Sequence, residues 1–69
     1  MAKYLVSKAR NLVTGQSVKN QDLTGARYRL DQRIIAQALA DQLAHKMTVR
    51  TQEPWEGFVE EYTPTVRKD

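Results

Sequence analysis

Residues 3–12 alternate, with some irregularity, between two sets of side chains. Leu5, Ser7 and Ala9 form one set, and Tyr4, Val6, Lys8 and Arg10 the other. The stretch has no glycine or proline, and its period of two predicts a β-strand. The first set is small enough for a helix to lie close, but the alternation alone leaves open which face is inside. Thr14-Gly15 ends the strand, because glycine takes the positive φ that a tight hairpin turn requires. A weaker second strand is predicted over residues 16–20, and residues 21–25 read as a turn closed by Gly25. Residues 26–30 alternate again, with Ala26, Tyr28 and Leu30 against Arg27 and Arg29. They fit either a short third strand or an extended lead-in.

Periodicity is strongest in the next segment. Residues 32–48 contain no glycine or proline and are rich in Ala, Leu and Gln, a composition that favours helix. Ile35, Leu39, Leu43 and Met47 recur every four residues. Ala36 and Ala40 flank that stripe on one side, Ile34 and Ala38 on the other, and Arg33, Gln37, Asp41 and Thr48 lie opposite. Asp31 is the predicted N-cap, since its carboxylate can accept free N–H groups of the first turn. Pro54 stops the helix. Residues 55–62 are aromatic and β-branched and predict a last strand, with Phe58 and Tyr62 on one face and Trp55 and Val59 on the other. The apolar stripe is broader than a two-helix seam needs, so its predicted partner is a sheet. The expected fold is therefore α+β: a small antiparallel sheet of three to four strands packed against one long amphipathic helix, in the order β-β-(β)-α-β. One domain is expected over residues 1–64, with a flexible C-terminal tail at 65–69.

Length narrows the means of stabilisation. A chain of 69 residues buries only about 60% of its unfolded surface. Small domains commonly lean on disulfides, a metal or self-association. There is no cysteine and only one histidine, so neither disulfides nor structural zinc are expected. Packing and self-association are left. No apolar run is long enough for a membrane span or a signal-peptide core, which predicts no membrane partner. The absence of cysteine fits a reducing compartment, and the expected location is the cytoplasm.

Charge is distributed unevenly. The net formal charge is +3, but residues 1–34 hold seven bases and two acids while residues 35–69 hold four bases and six acids. A basic first half suits a polyanion or a complementary acidic surface.

The residues offer little for catalysis. His45 is the single imidazole, and it stands near the predicted helix C-terminus, where histidine favours the dipole. Glu60 and Glu61 are adjacent, so on a strand they face opposite ways and do not form a carboxylate pair. Gly15 and Gly25 do not open a helix as a phosphate-binding loop does, and the acids lack the spacing of a calcium loop. The expectation is a small non-enzymatic binding or accessory protein with no cofactor and no metal site. Two kinds of partner suit it. Lys8, Arg10, Lys19, Arg27 and Arg29 are candidate nucleic-acid-binding residues on one outer sheet face, with Tyr4 as a stacking surface. The alternative is a protein-interaction or homodimeric module built on Trp55, Phe58 and Tyr62, since Trp and Tyr often anchor interfaces. With its Thr14-Gly15 turn, a glycine at position 25 and an alanine-containing helix, the layout loosely resembles the three-stranded-sheet-plus-helix DNA-binding domains of phage integrase arms and plant AP2 factors. The likeness is one of layout and carries no residues across.

Overall fold

In the computed structural model the described residues are 3–63, so the tail expected at 65–69 lies outside them. The elements are β1 (Tyr4–Asn11), β2 (Ser17–Lys19), a short helix α1 (Asn20–Thr24), a 3₁₀ turn (Leu30–Gln32), the long helix α2 (Arg33–Thr51) and β3 (Trp55–Tyr62). The fold is α+β. Its three-stranded antiparallel sheet has the order β2-β1-β3, and α2 packs across one face of β1 and β3.

β1 is central because it pairs along both edges. On one side all eight residues are in register with β3, from Tyr4 opposite Tyr62 to Asn11 opposite Trp55. On the other side, residues 8–10 pair with β2. Farther along that edge, Leu5 exchanges two backbone hydrogen bonds with Tyr28, at 2.7 and 3.0 Å. Residues 26–30 are thus an extended lead-in with one bridge, not a strand. The hairpin after β1 is wider than a two-residue turn. Asn11 holds it together: its side-chain oxygen accepts the N–H groups of Val13 (2.7 Å) and Thr14 (3.0 Å), and its amide donates to Glu53 (2.9 Å). The segment expected as a turn at 21–25 is a single helical turn, closed by Gly25 at φ 75°.

The inner face of the sheet carries Leu5, Ser7 and Ala9 from β1 and Gly57 from β3, so the small-residue set of β1 is the buried one. Such residues let the helix backbone come close. The Ser7 hydroxyl donates to the Ala36 carbonyl at 2.6 Å. A Cβ added at Gly57 would stand 2.5 Å from the Ala40 carbonyl carbon and 2.7 Å from the Asp41 nitrogen. Only alanines fit on the helix side of such an approach, and Ala36, Ala40 and Ala44 are buried there with Leu43. This rotates α2 away from the expected orientation. The predicted flank of Ile34 and Ala38 faces outward, with Ile34 87% exposed and Ile35 half exposed. Gln37 and Thr48, expected opposite the core, reach inward instead. Gln37 donates to the Gly57 carbonyl, and the Thr48 hydroxyl accepts from the Trp55 N–H.

Both ends of α2 differ in detail from expectation. Asp31 is not the N-cap. The 3₁₀ turn starts one residue earlier, so the backbone N–H of Arg29 donates to the Gln32 side chain (2.9 Å) and Asp31 instead pairs with Arg29. At the other end Gln52 takes the left-handed conformation, φ 62°, and its N–H closes on Thr48. Pro54 then leads into β3. No helix among the described residues is long and apolar enough to cross a membrane.

Candidate nucleic-acid interface on the open sheet face

α2 covers one side of the sheet, and no other element among the described residues covers the opposite side. Strand alternation sends Tyr4, Val6, Lys8 and Arg10 of β1 to that side. Register with β3 places Tyr62, Glu60, Phe58 and Glu56 directly across from them, in that order. Lys19 joins from β2, opposite Lys8. Two acids, three rings and several bases therefore share one surface.

The bases lie over the rings. The Arg27 guanidinium is 4.8 Å from the centre of the Tyr4 ring, and Arg10 is 5.0 Å from that of Phe58. The Lys8 ammonium stands 5.4 Å from Phe58 and 6.0 Å from Tyr62, and Lys19 is 5.5 Å from Tyr62. Tyr4 and Tyr62 stack on one another, centroids 5.7 Å apart and planes 15° from parallel. Val6, which belongs to the same outer set, is fully buried. A small apolar layer thus forms on the open face, with aromatic walls and a cationic rim.

Only one acid on this face is engaged by a base among the described residues. Lys8 donates to Glu60 at 3.1 Å. Hydrogen bonds from the Tyr62 hydroxyl and then from Lys8 hold the Glu60 carboxyl below its ordinary range. Burial pulls the Lys8 ammonium downward, but its bonds to Glu60 and Tyr62 outweigh that, and its pKa is raised on balance. Arg10, Lys19 and Arg27 form no ion pair with any acid among the described residues. The Arg27 guanidinium also donates to the side-chain oxygen of Gln21.

Of the five basic residues expected on this face, four converge: Lys8, Arg10, Lys19 and Arg27. Arg29 does not join the row of rings. It is tied to Asp31 (3.2 Å) at the start of α2. Trp55, Phe58 and Tyr62 do not form one surface. Trp55 is on the inner side, packed against the cluster of Ala9, Leu43 and Ala44, and its indole N–H donates to Thr51 at 2.8 Å. Phe58 and Tyr62 belong instead to the open face, beside the bases. Sequence reading assigned them to a different partner because it did not pair β1 with β3. The signal was present, since Phe58, Glu60 and Tyr62 have the same period of two as Tyr4, Val6 and Lys8.

Elsewhere, His45 is exposed on α2. Among the described residues no three His, Cys, Asp or Glu side chains lie close enough together to hold a metal ion. Leu23 and Thr24 of α1 line a groove with Lys46, Met47, Val49 and Arg50 of α2. Comparison with protein-family models, curated proteins and solved structures finds no match for the chain.

Proposed function

We propose that this chain is a cytoplasmic, non-enzymatic accessory protein that binds single-stranded nucleic acid on its open sheet face. The observation that carries the reading is the interleaving of Tyr4, Phe58 and Tyr62 with Lys8, Arg10, Lys19 and Arg27 on a face that no element among the described residues covers. Rings take stacked bases, and bases of the protein take phosphates. Energies favour the exchange. Drawing a cation off a ring costs about 0.5–1 kcal/mol at an exposed site. Stacking a base on that ring returns roughly 1–3 kcal/mol, with the phosphate contact in addition.

An unpaired strand fits better than a duplex. A base stacks on one of these rings only when it is free of its own neighbours, as in an unpaired strand. Eight-residue strands span about 27 Å, room for a few nucleotides.

The test is fluorescence anisotropy of labelled single-stranded and duplex oligonucleotides at two salt concentrations. Tighter binding of the single strand is expected, with log K falling against log salt at a slope near −2, as for about three phosphates neutralised on a single strand. Equal or tighter duplex binding, or none of either, would remove the reading.

A second reading, self-association, draws on a different observation. Ile34 is 87% exposed, and Ile35 and Leu30 beside it are about half exposed. Two copies related by a twofold axis would cover these residues without using the open sheet face. Sedimentation of the wild type and of Ile34→Lys, with a dimer only in the former, is the corresponding test.

A further inference from the structure

An acid at the centre of a surface that binds phosphates repels them, so the place of Glu60 needs a reason. We propose that Glu60, with Lys8, reads guanine in the bound strand, an inference that rests on the single-strand reading above. Glu60 is flanked on its own face by Phe58 and Tyr62, two residues away on either side, so a base stacked on either ring turns an edge toward it. Its side chain is 46% exposed, which leaves the carboxylate accessible from above. Lys8 Nζ is 3.1 Å from Glu60 Oε1. An ammonium beside a carboxylate offers one donor and two acceptors, the set that cytosine offers on its own pairing edge. Guanine complements that set: O6 accepts, and N1–H and the N2 amino group donate side by side to the two oxygens of a carboxylate. Adenine and cytosine bring one amino group beside a ring nitrogen that repels the carboxylate. Uracil brings one N–H between two carbonyl oxygens. Ionised Glu60 is required for this recognition, and the Lys8 ammonium 3.1 Å away favours that form.

The experiment uses labelled uridine oligomers of about eight nucleotides, a length sufficient for one small binding face. A single central position carries uridine, adenosine, cytidine, guanosine or inosine. Guanosine is expected to tighten binding roughly tenfold over uridine, the order of one good bidentate contact. Inosine, which lacks the N2 amino group, is expected to fall between them. In Glu60→Gln the guanosine advantage should vanish. Equal binding of the guanosine and uridine oligomers by the wild type would overturn guanine recognition and leave the single-strand reading standing. A guanosine preference that survives Glu60→Gln would overturn the role of Glu60. Failure to bind any oligomer at low salt would overturn both readings together.

Discussion

Replacing Gly57 with alanine should unseat the helix. Gly57 has no positive φ, so alanine meets no backbone strain there and gains a few tenths of a kcal/mol or more from a stiffer unfolded chain. Against that, its Cβ would be 2.5 Å from the Ala40 carbonyl carbon, where ordinary contact begins at 3.4 Å. The obstacle is helix backbone, not the tip of a flexible side chain. Relief requires α2 to lift by about 0.9 Å at this point, and a gap of that size forfeits a quarter to a half of each dispersion contact it opens. The lift also strains the 2.6 Å bond from Ser7 to Ala36. Overpacking of this kind costs about 1–3 kcal/mol, and rigid backbone on both sides puts Gly57→Ala at the upper end. For a domain of this size each kcal/mol is worth about 4–8 °C in Tm, so a fall of roughly 10–20 °C is expected. Circular dichroism melts and urea titrations read it directly. Gly15→Ala is the contrast: nothing lies within 4 Å of the added Cβ, and the cost comes only from φ 80°. A Gly57→Ala variant within 0.5 kcal/mol of the wild type, a margin typical of surface changes, would refute the close seating of α2.

Three other outcomes follow from named contacts. Asn11→Ala removes three hydrogen bonds from a residue 2% exposed; at about 1 kcal/mol each, urea unfolding should show a loss of roughly 2–3 kcal/mol. Arg27→Glu should weaken single-strand binding and flatten its salt dependence, whereas Arg29→Glu, tied to Asp31 away from the rings, should change both less; parallel anisotropy titrations separate them. Glu60 has a folded pKa below its ordinary 4.5, so its contribution is present above pH 4.5 and is lost as pH falls through the folded value. Glu60→Gln should therefore show a shallower loss of stability than the wild type below pH 4.5, measured by thermal melts across that range.

Much of the fold is legible in the sequence because period and punctuation agree. The last strand has the predicted bounds, since Pro54 on one side and aromatic density on the other leave little choice. Where the reading fails, the cause is tertiary. Of the stripe of Ile35, Leu39, Leu43 and Met47, Leu43 is buried and Met47 packs against the core, but Ile35 is half exposed, and the helix buries the alanine line of Ala36, Ala40 and Ala44 beside it. The sheet beneath is floored by Ser7, Ala9 and Gly57, and a close approach selects small residues over large ones. Asp31 has the chemistry of an N-cap, but it lies inside a 3₁₀ turn, Leu30–Gln32, that Arg29 caps and that runs into α2 at Arg33. The candidate site was half visible. Its bases could be collected from β1 and from the lead-in, whereas bringing Phe58 and Tyr62 to them depends on a pairing between residues some fifty positions apart. Nothing local in the chain encodes that register.

The most direct measurement is a two-dimensional ¹H–¹⁵N NMR titration of the protein with a single-stranded oligonucleotide. The account predicts shifts concentrated in β1, β2, β3 and the lead-in at Arg27, with the largest at Tyr4, Lys8, Phe58, Glu60 and Tyr62, and little change along the exposed side of α2. Shifts confined to α2 and the Leu23 groove, or none at saturating oligonucleotide, would contradict the assignment of the open sheet face as the binding surface.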